Sequence, residues 1–402
     1  MIDEAGQGSM LPVMAQVSRF LGRATGVLML VACPAFSAAQ PLRQRDAEVD
    51  RQRDTPDLVR THREEGEAIL ALADNAMAGR SSPSDFGVQW QNDFIKAQRG
   101  TFVPFTLTID VAALRRRAVL VYVRARRRPE RPDQRGDRRD RNRETEGTDE
   151  TSYPVDAIFP VELGANQAGM ARVSRGFAVA PGAYDVFVVL RERVNPAAPR
   201  FKPKASVVRQ ALDVPDFWSG ELTTSSIIVA DGLTTLPEAL PSDQLPERPY
   251  VVGRNEITPA ADRVFRRNEE LIVVFLVYNP MVTTERQFDV KVEYHFFRKV
   301  GARSGVDRRD RPGAESGDPV RAGSSHSVVR PGEQYFNHTE PQRFNPALMA
   351  AAFNPAGGEP VLAGQVVPLN GFEEGEYRLE LQVLDLLSGK SLSRDVMFTV
   401  QP

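Results

Sequence analysis

The sequence predicts an all-β protein built as two β-sandwiches in tandem, preceded by a signal peptide and a short helix. Three stretches carry that prediction. In residues 375–400 (GEYRLELQVLDLLSGKSLSRDVMFTV), Tyr377, Leu379, Leu381 and Val383 alternate with Arg378, Glu380 and Gln382. A period of two puts apolar side chains on one face of a strand and polar ones on the other. A Ser-Gly turn signal follows, and Val396, Phe398 and Val400 resume the alternation. The result is a hairpin with one dry face, which a second sheet must cover. Residues 181–190 (PGAYDVFVVL) repeat the construction, and 271–278 (LIVVFLVY) is an unbroken apolar run, as a central strand covered on both faces requires.

Length and composition fit this reading. A chain of 402 residues has room for two to three domains. Its net charge of -2 and pI near 6.2 argue against nucleic-acid binding through bulk charge. The one cysteine, Cys33, allows no intrachain disulfide, so the sandwiches must be held by apolar packing.

In order along the chain, residues 1–39 read as a signal peptide. Arg19 and Arg23 precede an apolar stretch at 24–36 that is too short to span a bilayer, and Ser37-Ala38-Ala39 supplies small residues for cleavage before Gln40. Leu30-Val31-Ala32-Cys33 also resembles a lipobox, which would make Cys33 a lipidated first residue and the membrane a partner through that anchor alone. Residues 40–85 hold a polar leader and then a helix, with Ile69, Leu70, Leu72, Ala73, Ala76 and Met77 as its apolar stripe and Gly79 at its stop. The bland reading, a surface helix packed on the first sandwich, outweighs a partner-binding helix.

The first sandwich is expected over 86–230. Its strands run through Val103 to Ile109, 118–124, 153–163, 172–179, 181–191, 207–214 and 222–230. Short strands at this spacing indicate an immunoglobulin-like sandwich. Tyr184 and Tyr377 each stand two residues after a glycine at the start of a strand. Such sandwiches place a tyrosine there whose hydroxyl bonds back to the chain, so both are read as structural. Residues 125–152 are nearly all Arg, Asp and Glu and read as a disordered insertion. The interleaved acids, with no aromatic residue to stack a base, argue against a nucleic-acid partner. A Pro-rich linker is expected over 231–250 and the second sandwich over 251–402, with a second polar insertion at 301–327.

Motifs for chemistry are sparse. His62, His295, His326 and His338 have no metal-ligand spacing among them. There is no HExxH, CxxC, phosphate loop or nucleophile elbow. The expectation is a protein that is not an enzyme and takes no cofactor. Phe217 and Trp218, beside the domain boundary, are the candidate ligand contacts. Packing into the joint is the ordinary role of such rings, and a carbohydrate platform is the sharper one.

Residues 92–108, 214–231, 257–279 and 374–400 together resemble β-rich regions of uncharacterised secreted bacterial proteins. Similar segments accompany von Willebrand factor A-related and GWxTD domains. The chain has neither a GWxTD sequence nor a metal-ion-dependent adhesion motif, so the resemblance transfers no site residue. It implies immunoglobulin-like modules and an envelope location. The functional expectation is a non-catalytic exported interaction or structural module of the bacterial cell envelope, periplasmic, extracellular or lipid-anchored, with an unidentified envelope protein as partner. The alternative is a carbohydrate-binding module using Phe217 and Trp218.

Overall fold

The computed structural model describes residues 56–129, 153–164, 169–194, 201–300, 329–349 and 353–402. The expected signal peptide, Cys33, the leader up to residue 55, and the insertions at 130–152 and 301–327 lie outside the described residues. The chain divides into two compact units, Met1–Val59 and Arg60–Pro402, and both sandwiches belong to the second.

The fold is all-β with a single described α-helix and one short 3-10 turn at Pro355–Gly357, as the alternating patterns predict. In the first sandwich, β1 (Val88–Asn92), β2 (Ile95–Lys96), β3 (Thr101–Asp110) and β6 (Met170–Val179) form one sheet. The other holds β4 (Ala118–Arg127), β5 (Val155–Glu162), β7 (Gly182–Glu192) and β8 (Ala205–Val214), in the order β5-β4-β7-β8. Val103, Phe105, Leu107 and Ile109 of β3 face Val119, Val121 and Val123 of β4 and Val186, Val188 and Leu190 of β7 across the core. The helix α1 (Pro56–Met77) lies on the outer face of the second of these sheets, with Ile69 and Ala73 buried against Leu120, Tyr122 and Val189. That is the surface-helix role its stripe predicts. β4 continues through Ala125 to Arg127, so the insertion begins later than the composition suggested; Ala125 is fully buried in the core.

The second sandwich repeats the plan. One sheet holds β9 (Thr223–Thr224), β10 (Ile228–Thr235), β11 (Val251–Val252), β12 (Asn255–Pro259), β14 (Glu270–Tyr278) and β18 (Val361–Pro368). The other holds β13 (Val264–Arg266), β15 (Val290–Lys299), β16 (Glu333–His338), β17 (Gln342–Phe344), β19 (Gly375–Asp385) and β20 (Ser391–Gln401), with β13 running parallel to β20.

Two expected boundaries are corrected. Residues 222–230 belong to the second sandwich, because β9 and β10 pair with β14, Ile228 opposite Val274 and Ala230 opposite Ile272. The stretch 231–250 is not a free linker: β10 runs on to Thr235 against β12, and Tyr250 is buried. The ladder to β12 ends at Thr235, and the prolines that signalled a connector stand in the turn-rich stretch after it, which leads to the buried Tyr250. The crossing between sandwiches falls at 215–222.

Both tyrosines do what their position predicts. The Tyr184 hydroxyl donates to the Ala180 carbonyl at 2.9 Å, and the Tyr377 hydroxyl donates to the Glu373 carbonyl at 2.8 Å. The likeness extends to their surroundings. Gly182 and Gly375, two residues before each tyrosine, have φ of 138° and 147°, a region that only glycine adopts readily. Arg127 of β4 pairs with Tyr184 in the ladder and its guanidinium lies over Gly182; Arg298 of β15 pairs with Tyr377 and lies over Gly375 in the same way.

β14 explains the long apolar run. Leu271, Val273, Phe275 and Val277 point into the core of the second sandwich, and Val274, Leu276 and Tyr278 point out of it into a separate cluster with Ile95, Phe217, Tyr250 and Ile257. That cluster joins the two sandwiches.

Candidate functional site

The joint contains both candidate ligand rings and separates their roles. Phe217 is 2% exposed and packs at 5.0 Å from Tyr278. It fills the joint, the ordinary role read for such a ring, and is not the ligand contact of the sharper alternative; its neighbours in space, Ile95 and Val274, come from distant parts of the chain. Trp218, the next residue, turns outward and is 52% exposed. Its indole N–H donates to the Gly100 carbonyl at 3.2 Å, and the Lys96 ammonium sits 4.1 Å from its ring centroid. Lys96 also donates to Asn279 Oδ1 at 3.2 Å, and burial pushes its pKa down. A sugar platform of two rings is therefore not formed; one ring remains, with a cation on one face.

The joint has a polar centre. Asp93, between β1 and β2, is buried, and the Tyr250 hydroxyl donates to its Oδ2 at 3.2 Å. Burial raises the Asp93 carboxyl to about 6, against the opposing pull of that hydrogen bond and the Arg263 charge. Nearby, Arg172 of β6 donates to the Pro259 carbonyl at 2.8 Å, tying the first sandwich to β12. The backbone N–H of Lys96 donates to the Tyr278 hydroxyl at 3.0 Å, and that of Phe94 to Ser226 Oγ at 2.9 Å.

A second feature is the edge at β5. Among the described strands β5 pairs with β4 alone, so its far side presents unpaired backbone groups. Ile158 on this strand is 48% exposed. An open groove of about 280 Å³ runs between β5 and α1, lined by Leu120, Ile158 and Pro160 on the sheet side and His62 and Glu65 on the helix side. A larger, polar groove of about 460 Å³ is lined by Asp85, Arg115, Lys202 and Lys204.

The third feature is the outer face of the last sheet. Arg378 of β19 is fully buried there, bonded to Glu333 at 2.7 Å, Glu380 at 2.7 Å and Asp395 at 2.9 Å, with the Phe297 ring 4.1 Å away. Beside this network His295 of β15 stands directly opposite His338 of β16. Sequence spacing hid that pair, because antiparallel pairing brings the two together across the 301–327 insertion. Among the described residues no three His, Cys, Asp or Glu side chains converge to hold a metal ion. No described helix is long and apolar enough to cross a membrane.

No protein-family model matches the chain, and no curated protein sequence matches it. Among solved structures it is similar to the native conformation of E. coli alpha-2-macroglobulin, at 11% identity and a TM-score of 0.20, over 79% of this chain and 16% of that one. A mutant of Salmonella alpha-2-macroglobulin gives 14% identity and a TM-score of 0.18, over 80% of this chain and 17% of that one. The chain thus spans about a sixth of the length of either. The class of the protein, a tandem of immunoglobulin-like sandwiches, rests on the strand order described above.

Proposed function

We propose that the chain is a non-catalytic, exported interaction or structural module of the bacterial cell envelope, holding a protein partner along the free edge of β5. The edge is the observation that carries this reading. An extended segment of a partner adds to such a strand through main-chain hydrogen bonds, and a neighbouring pocket takes one of its side chains. Here Ile158 and the groove beneath α1 supply that pocket. Pro160 lacks an N–H and limits an added strand to the segment before it. The leader-like segment at 14–40 supports export, and the lipobox-like run ending at Cys33 supports a lipid-anchored mature form. Mass analysis of the mature N-terminus distinguishes lipidated Cys33 from a start at Gln40.

The test is site-specific photocrosslinking in intact cells, with the probe at Ile158 and, as a control, at Leu387 of the β19–β20 turn, another exposed apolar residue. The expected result is one discrete protein adduct at 158 that excess unlabelled protein competes away, and none at 387. Equal adducts at both positions, or none at 158, overturns the reading. Trp218 fluorescence that changes on titration with envelope glycans would instead favour the carbohydrate alternative.

A further inference from the structure

We infer that His295 and His338 form a two-imidazole site for a divalent transition-metal ion of the zinc, nickel or copper class, which clips β15 to β16. The two residues are register partners on adjacent strands, and their ring centroids lie 6.3 Å apart. Two imidazoles bound to one ion through bonds of about 2.0–2.1 Å have centroids roughly 5–6.5 Å apart, depending on the angle at the metal. The separation lies at the wide-angle end of that range, so a shared ion would sit nearly between the two rings.

The hydrogen bonding points the same way. Nδ1 of His295 has no hydrogen-bond partner and Nε2 faces only the Glu293 carboxylate, at 3.6 Å, although both nitrogens are shielded from solvent. Buried polar atoms are ordinarily satisfied, and a nitrogen that nothing satisfies is free to coordinate. His338 is exposed, and its Nδ1 shares a 2.8 Å hydrogen bond with the Tyr335 hydroxyl. Metal-bound histidines usually have the second nitrogen held in this manner, which fixes the ring and leaves Nε2 for the metal. Carboxylates adjoin the site and favour a cation. Glu293 Oε2 is 3.6 Å from His295 Nε2, and Glu380 pairs with His295 across the ladder. Glu293 is held by Lys291 at 2.8 Å and Glu380 by Arg378, so the protein supplies two nitrogens and water completes the shell. Imidazole ligands select zinc, nickel and copper over magnesium or calcium.

A clip at this place has a structural consequence. β15 ends at Lys299 and β16 begins at Glu333, so the ion would tie the two strands that flank the whole second insertion. Pairing there is already irregular, with a register shift between Phe296 and Phe297 next to the site.

Calorimetric titration of the full chain with Zn²⁺ tests the inference, with thermal unfolding as a second readout. One equivalent is expected to bind and to raise the unfolding temperature. Both effects should vanish in His295→Asn and in His338→Asn, persist in His62→Asn, and weaken about 10–100-fold in Tyr335→Phe. Mg²⁺ should produce neither. Each variant is first shown to unfold at the wild-type temperature without metal; if His295→Asn does not, His338→Asn decides alone, because that side chain is exposed. Absence of Zn²⁺ binding to the wild type, or binding retained by His338→Asn, overturns the inference.

Discussion

The Tyr250 hydroxyl and the Asp93 carboxylate meet at 3.2 Å inside the joint, one from each sandwich. Burial holds the Asp93 pKa near 6, above its ordinary 3.8. The folded state therefore binds a proton more tightly than the unfolded chain. Stability from this group is full below pH 4, falls as pH rises towards 6, and is level beyond that. The change is on the order of 2–3 kcal/mol. Asp93→Asn should flatten the slope between pH 4 and 6, measured by urea unfolding at each pH. A slope unchanged in the variant would place the titrating group elsewhere.

Tyr184→Phe and Tyr377→Phe each delete a hydroxyl whose acceptor lies four residues upstream. Each should cost about 1–3 kcal/mol, since a shielded carbonyl loses its donor. The two sites lie in different sandwiches and share no partner, so the double variant should show the sum within about 0.5 kcal/mol. Denaturant midpoints of the three variants check this; a strongly non-additive pair would mean that the two corners are not independent.

Adjacent aromatics in the joint should behave oppositely. Phe217→Ala empties a buried site shared by both sandwiches and should cost about 3–5 kcal/mol. It should also split the calorimetric transition in two as the sandwiches uncouple. Trp218→Ala loses a half-exposed ring and its contact with Lys96, worth about 0.5–1 kcal/mol. Scanning calorimetry of both variants reads the contrast directly.

Arg378 is the cation of a network of three carboxylates. Arg378→Met should cost about 3–5 kcal/mol, because Glu333 and Glu380 are left buried without their partner. Adding Glu333→Gln and Glu380→Gln to that variant should recover most of the loss. The Arg378 contact also holds the Glu333 carboxyl below the usual range. Its pKa should rise in the single variant, which carbon-13 NMR of the side-chain carboxyl would follow.

How much of this was legible in the sequence depended on whether a signal was local. The strands around Tyr184 and Tyr377, the apolar run at 271–278 and the stripe of α1 are periodic patterns, and the structure places them as read except for Leu70, which the stripe included and which faces solvent. The short β1 was missed because Val88 to Asn92 alternates polar residues around a single tryptophan that becomes core only by stacking on Phe105 at 4.3 Å. The boundary at 231–250 was misread because residues 231–235 carry no local sign of their ladder partner, which lies in β12. Arg378 alternates as an outward residue should, and nothing nearby in the chain says that Glu333 and Phe297 will close over it. His295 and His338 fall to the same limit: their proximity is a property of register.

β14 belongs to two assemblies at once, its odd-numbered side chains sealing one compartment and its even-numbered ones gluing that compartment to its neighbour. A fragment cut at residue 251 would lack β9 and β10, strip hydrogen-bond partners from one side of β14, and lay Val274, Leu276 and Tyr278 bare. Such a piece would seek a foreign strand to complete itself. The second sandwich is thus a dependent half, and whatever evolutionary duplication or laboratory truncation separates it from the first must carry the residues from Thr223 onward and find a substitute for Phe217.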